Sequence, residues 1–420
     1  MNGSPIISNE KQNLFQRATL TVICMYAVTL YVGYINSGLL RLQGLTLYAM
    51  VGLMLFAVLQ KGCVKINSYH VWYGVFILGA AFSCLYSADR SNSTAALYGL
   101  VIVWIFAFAL NTVVMKKEHI EWFFISLIFG SVILTVYLIA TGQFKNIEDT
   151  GSRFGEALTG NANVFASIYM IAASVNAYFL FKFKGLRAKL PFIAALIIQL
   201  YALTVSGGRK YFLFPFILLY IIALQHKDKR QRTHFIRVSI IAAIITVVVY
   251  QLLMNNQFLY TAIGYRFEDL IQYTVGLSSE VEGGTIIRER MIEKGLALWR
   301  ESPIFGHGLD SFSKLGGFGV YSHNNYVELL CNHGIIGFIW YYGFYLYVAF
   351  KLFKMKNNDS MRHFLIGFII SLLVYETGAI AYDTLVTQAF LVFAVIYMRL
   401  RSDGGADKES LTTKISEGKL

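Results

Sequence analysis

The stretch YSHNNYVELLCNHGIIGFIWYYGFYLYVAF, residues 321–350, decides the fold. From Gly334 to Phe350 it carries no charged residue, and at about 1.5 Å per residue such a run makes most of a bilayer-crossing helix. Its front end differs, because His323, Asn324 and Asn325 place a titratable ring and two amides at the mouth of the apolar segment. Apolar blocks of the same kind recur along the chain. Twelve can be placed, at 18–36, 42–60, 69–87, 94–114, 120–141, 162–181, 190–206, 210–225, 237–254, 331–350, 363–380 and 382–399. The short, alternating segments of a β-barrel are absent. Hydrophobic residues make up 56% of the 420 and charged residues 14%, against about 45–50% and about 25% in soluble domains. The expected fold class is therefore all-α, a polytopic integral membrane protein with about 12 transmembrane helices.

The net charge of +12 follows the same plan. Basic residues gather in short connections: Lys61 and Lys65; Lys116 and Lys117; Lys182, Lys184, Arg187 and Lys189; Lys227, Lys229, Arg230 and Arg232; Lys351, Lys354, Lys356 and Arg362; Arg399 and Arg401. These fall at every second connection, as cytoplasmic loops do. The charge is thus topological, and no nucleic-acid partner is expected. The first apolar block, behind Lys11 and Arg17, is too long for a signal-peptide core and lacks a small-residue cleavage site, so it reads as a retained span. Cys24, Cys63, Cys84 and Cys331 show neither paired nor metal-ligand spacing.

Residues 1–420 read as a single membrane domain, with both ends in the cytoplasm and a polar tail, 402–420, expected to be disordered. Two connections on the outer face exceed tight turns, about 142–161 and about 255–330. The second is a large extracytoplasmic loop in which we expect short amphipathic helices, with Ile287, Met291 and Leu298 forming an apolar stripe.

Outward cations break the charge rule. Arg153, Arg209, Arg266, Arg288 and Arg290 all fall on the outer side. Each could snorkel or cap a helix; converging, they could form an anion site, because the guanidinium fork matches phosphate oxygens. His323 stands at a helix start, capped by Ser322 or Asn324, where the helix dipole and nearby arginines favour neutral imidazole. A histidine there can be a plain interfacial residue or a proton acceptor. His307, His323 and His333 lack HxxxH or HExxH spacing, and no DxD occurs, so no metal site is expected. Gly334 and Gly337 read as small residues that let helices approach. Glu376 and Asp383, flanking the last turn, are expected to reach the outer cavity or pair with its arginines.

These residues resemble the O-antigen ligase and polymerase superfamily of membrane glycosyltransferases. The likeness lies in HNNYVELLCNHGIIG, with His323-Asn324, nine residues, Gly334 and Gly337; in Arg209 with Leu213, the Arg-x-x-x-Leu pattern; and in IIRERMIEKGLALWRESPIFGHG, with Arg288 seven residues before Gly295 and an SP-x-x-G-x-G turn. GNAN at 160–163, after Arg153, resembles the family's entry to a middle span. The likeness covers most of the chain from about residue 150. It implies a GT-C-like enzyme of the bacterial inner membrane, with its site facing the periplasm. The implied donor is an oligosaccharide on undecaprenyl diphosphate and the implied acceptor a glycan, with no metal and no other cofactor.

On this resemblance His323 is the general base, and Arg209 and Arg288 stabilise the diphosphate leaving group. Arg153, Arg266, Arg290 and Asn324 are candidates for substrate binding. Direct attack would invert the anomeric carbon. The expected role is polymerase of O-antigen or capsular polysaccharide, with a chain-length regulator protein as a further partner. A ligase joining the glycan to lipid A-core is the alternative. A transporter or flippase for the lipid-linked sugar is a reading of another class, disfavoured by spans nearly free of charge at their centres.

Overall fold

Peptide groups in hydrocarbon have no water to bond, so an apolar run must close its hydrogen bonds within itself as a helix. The computed structural model describes residues 5–61, 66–146, 153–225, 231–276, 283–356 and 358–416, and among them there is no β-strand. The helices α1 (Pro5–Val32), α2 (Ser37–Lys61), α3 (Ser68–Ser83), α4 (Arg90–Val113) and α5 (Lys117–Ala140) form the first half. A short α6 (Glu156–Thr159) leads into α7 (Ala162–Lys182), α8 (Leu186–Val205), α9 (Arg209–Gln225) and α10 (Gln231–Asn255). The long connection carries α11 (Gln257–Leu259), a π-helical turn over Tyr260–Gly264, α12 (Tyr265–Thr274), α13 (Gly283–Glu301) and α14 (Phe312–Leu315). Then come α15 (Asn325–Lys354), α16 (Ser360–Tyr375) and α17 (Leu385–Ser416).

Every span expected from hydropathy falls on a helix. Among the described residues nine helices are long and apolar enough to cross a membrane. The other three, α3, α9 and α16, have 16, 17 and 16 residues, about 24–26 Å against a hydrocarbon core of about 30 Å. The twelve expected spans are thus nine full ones and three short ones. The starts of α3, α4 and α16 are capped by Asn67, Asp89 and Asp359, whose side chains accept from backbone amides of the first turn.

Helix α7 is the hub, with 72% of its span buried, and it packs on α5, α8, α9 and α16; α10, only 6% buried, lies at the periphery. The basic connections gather at one end of the bundle. There Lys182 pairs with Glu121 at 2.6 Å, Lys117 meets Asp359 at 3.2 Å, and Arg401 also bonds Asp359. Arg399 donates to the Asn111 side chain at 2.6 Å and to the Val114 carbonyl at 3.1 Å. Lys65, Lys227, Lys229 and Arg230 lie outside the described residues. Helix α16 runs from Asp359 at this basic end to Glu376 at the other, where His323 lies.

Within the long connection, Met291 and Leu298 of the expected stripe are buried against Phe312 and Cys331, whereas Ile287 is exposed. Helix α17 continues through Ser416, so residues 402–416 of the tail expected to be disordered are helical. Once nucleated, a helix gains one hydrogen bond for each residue it fixes. Residues 417–420, residues 147–152 and 277–282 of the two outer connections, and Cys63 lie outside the described residues.

Candidate active site

Helix α15 is broken. Gly334 has φ 61° and ψ −166°, far from helical values. The backbone groups freed by the break bond to the Ser302–Gly308 turn instead: Ile335 N–H donates to Pro303 at 2.9 Å, and the carbonyls of Cys331 and Asn332 accept from His307 and Gly308, each at 2.9 Å. A Cβ on Gly334 would lie 2.2 Å from the Ile304 carbonyl oxygen. The expected role of Gly334 in helix–helix packing is therefore replaced by a different one, in which glycine lets a loop backbone press into a helix break. The far side of the loop is pinned as well, because Ser87 and Ser93 hydroxyls donate to the Leu309 carbonyl at 3.0 and 2.6 Å.

The half-helix before the break is fixed at its own start. Asn324 is the N-cap and accepts from the Tyr326 and Val327 amides at 3.0 and 3.1 Å. The Asn325 amide donates to the Glu376 carboxylate at 2.9 Å, and that buried carboxylate also accepts from Tyr342 and Tyr345, each at 2.8 Å. On the other side of His323, the Ser322 N–H donates to Glu328 at 2.7 Å. His323 is held between these anchors at φ 57°. Asp310 is the other residue besides glycine with a positive φ among the described residues, at 56°. Such conformations cost about 1–3 kcal/mol for side-chain-bearing residues and concentrate at functional sites.

His323 and Asp310 line one cavity of about 710 Å³, together with Lys210, Tyr211, Tyr321 and Asp383. The His323 ring lies 4.4 Å from that of Tyr321. Burial, with the charges of Arg288 and Lys210, lowers its pKa to about 4, so the imidazole is neutral near pH 7. The charges of Arg288 and Arg153 both act on Lys210 in turn. Burial raises the Asp310 carboxyl above the ordinary carboxylate range. The cavity therefore presents a neutral base together with Lys210 and the carboxyl groups of Asp310 and Asp383.

The other sequence candidates are placed as follows. Arg288, on α13, is half-buried and makes no hydrogen bond among the described residues. Arg209 bonds the Arg266 carbonyl and donates to the Thr285 hydroxyl at 3.1 Å, tying α9 to the helix that carries Arg288. Arg153 donates to the Asn163 side chain at 2.8 Å and to the Ser206 carbonyl at 3.1 Å, which joins it to the GNAN motif. Arg266 is buried, its guanidinium 5.2 Å from the Tyr265 ring centroid. Arg290 is exposed and does not line the cavity. Sequence reasoning passed over Lys210, the cation that does line it. The available signal was its position beside Arg209, at the same end of the same span. Among the described residues no group of three or more His, Cys, Asp or Glu side chains is arranged to hold a metal ion.

Residues 194–342 match a protein family described as O-antigen ligase, a segment that begins in α8, contains Arg209, Lys210, Arg288 and His323, and ends just past the break in α15. No curated protein matches the chain. The histidine, the basic groups and the glycine break fall together in that segment, which is similar to the O-antigen ligase family.

Proposed function

We propose that the protein transfers an oligosaccharide from undecaprenyl diphosphate to a glycan acceptor outside the bacterial inner membrane, as an O-antigen or capsular polysaccharide polymerase. The observation that carries this reading is the neutral imidazole of His323 in a cavity lined also by Lys210, with the charges of Arg288 and Lys210 both acting on the ring. In the reaction the acceptor hydroxyl oxygen attacks the anomeric carbon from the side opposite the diphosphate. His323 takes the hydroxyl proton as the new C–O bond forms. The bond from that carbon to the diphosphate breaks, its electron pair leaves on the phosphate oxygen, and the carbon is inverted. Lys210 and Arg288 meet the charge that develops there, the arrangement by which fixed cations stabilise a transition state. Arg209 holds α13 in place, and Arg153 holds the entry to α7. The same chemistry serves a ligase, which differs only in its acceptor.

The deciding experiment is a reconstituted assay that supplies undecaprenyl-diphosphate oligosaccharide with either a second donor molecule or lipid A-core. Elongated lipid-linked glycan supports the polymerase, transfer to lipid A-core the ligase, and movement between leaflets without transfer a flippase. We expect activity to persist in EDTA, because the leaving-group charge is met by side chains. A strict requirement for an added divalent ion would overturn this scheme.

Substitutions of the cations should grade. Lys210→Ala and Arg288→Ala each remove one charge-assisted hydrogen bond, worth about 1.5–3 kcal/mol, and should slow transfer by about 10–100-fold. Arg209→Lys should also slow transfer, because the Arg266 and Thr285 bonds come from two separate guanidinium nitrogens, a fork that a single ammonium nitrogen does not reproduce. Full activity of Arg209→Lys and Arg288→Lys in single-turnover kinetics would argue against these assignments.

A further inference from the structure

A buried carboxyl group stands just past the end of α16. Glu376 is fully buried, is not among the residues lining the cavity of His323, and forms no ion pair among the described residues. The outer cavity and the arginines expected for it from sequence are therefore not its surroundings. A carboxylate buried without a cation has to be held by hydrogen bonds alone.

Its partners lie on both sides of the break in α15. Asn325, before the break, donates its side-chain amide to the carboxylate and its backbone N–H to the Glu376 carbonyl, both at 2.9 Å. Tyr342 and Tyr345, beyond the break, donate their hydroxyls to the same carboxylate. Asn325 and Tyr342 also bond each other at 2.9 Å, although they stand 17 residues apart in sequence. In an unbroken helix that separation would be about 25 Å, so the bond exists because the chain folds back at Gly334. The ring of Tyr326 stacks on that of Tyr342, with centroids 4.6 Å apart. Glu376 thus closes the two arms of α15 on each other.

This closure bears on His323, two residues before Asn325. The imidazole makes no hydrogen bond among the described residues and lies 4.4 Å from the Tyr321 ring. Its place is therefore set by the backbone that carries it, and an error of about 1 Å in placing a reacting group can cost about 100-fold. We propose that Glu376 is a positioning residue, whose carboxylate ties the start of α15 to the half-helix beyond the break and so holds the His323 imidazole at the acceptor hydroxyl. The proposal rests on the role given to His323 above, and adds what keeps that base in place.

The test is the pH profile of transfer by full-length variants in the reconstituted assay, with kcat and KM measured separately. Glu376→Ala should lower kcat by about 10–100-fold with little change in KM. It should also raise the acid limb of kcat/KM from about 4 toward the ordinary histidine value of about 6.5, because the ring leaves the burial and the charges of Arg288 and Lys210 that lower it. The direct effect of losing a negative charge has the opposite sign, since it disfavours the imidazolium. The other ionisable groups lining the cavity, Asp310, Tyr321, Glu328 and Asp383, are the same in the variant. Glu376→Gln controls for charge. Asn325 and Tyr342 share one carboxylate oxygen, which the glutamine oxygen can replace, while the glutamine amide donates to the Tyr345 hydroxyl. Its rate should stay within about threefold of the unsubstituted protein, as for a rearranged hydrogen bond. Tyr342→Phe removes one hydroxyl and leaves no hole, so it carries the test even if Glu376→Ala does not accumulate. It should lower kcat and raise the acid limb in the same direction, to a smaller extent. In a His323→Ala background, Glu376→Ala should remove nothing further from the residual transfer, because the two residues act as a unit. A fall in kcat with the acid limb unmoved, an additive loss in the His323→Ala background, or a glutamine variant as slow as the alanine one would overturn the positioning role. Near-normal transfer by His323→Ala would instead remove the base itself, and with it the reading on which this role depends.

Discussion

His323→Ala should abolish product formation while the protein still inserts and folds. The expected loss is about 10²–10⁴-fold, the usual contribution of a positioned general base. Folding should survive because no hydrogen bond of the ring holds the loop. The segment is held by Ser322 on Glu328, Asn324 capping α15, and Asn325 on Glu376. Alanine keeps the Cβ and the strained φ of 57°, so the variant loses the imidazole and little else. A pH profile separates a base from a merely structural histidine. With a pKa of about 4, lowered by burial and by the charges of Arg288 and Lys210, the ring is neutral and competent above that value and becomes charged as pH falls through it. The acid limb of kcat/KM should therefore lie near pH 4 instead of the ordinary histidine value of about 6.5. Removing the charge of Arg288 should move the limb upward. Near-normal transfer by His323→Ala would reject the base, and an acid limb unmoved by Arg288→Ala would reject the electrostatic account.

What could be read from the sequence, and what could not, follows the range of the forces involved. Hydropathy summed over a bilayer's width located every span, because each residue adds to the same signal. The same averaging hid the break in α15: Gly334 sits between Cys331-Asn332-His333 and an apolar run, and a window of about twenty residues cannot register one φ of 61°. Its cause is 30 residues away in sequence, where Ile304 offers a carbonyl that only a glycine can approach. Arg209 and Arg288 could be singled out because charge on the outer side of a membrane protein is conspicuous. Their different surroundings could not, since these depend on where α13 packs. Arg209 turned out to bind protein, and its neighbour Lys210 lines the cavity.

The largest expected loss of stability comes from Gly334→Ala. The backbone region near φ 61° and ψ −166° is essentially closed to residues with a side chain, and occupying it costs on the order of 1–3 kcal/mol. The added Cβ would also lie 2.2 Å from the Ile304 oxygen and 2.6 Å from the Phe305 nitrogen. Both are backbone atoms, held by the bonds from Ile335 to Pro303 and from His307 to Cys331, so neither can swing aside as a flexible side chain would. Relief requires the turn to leave the helix, with loss of those buried hydrogen bonds at about 1 kcal/mol each. A total above about 4 kcal/mol is a large part of the 5–15 kcal/mol that holds a typical domain together. The variant should therefore melt far below the unsubstituted protein in detergent, or fail to accumulate. Gly99→Ala, where a Cβ meets nothing within 4 Å, is the matched control and should be neutral or slightly stabilising, as alanine is in a helix. Equal melting temperatures for the two variants would mean that α15 runs unbroken through residue 334. The loop would then have no seat on the helix, and Asp310 and His323 would no longer be brought to one cavity by the same break.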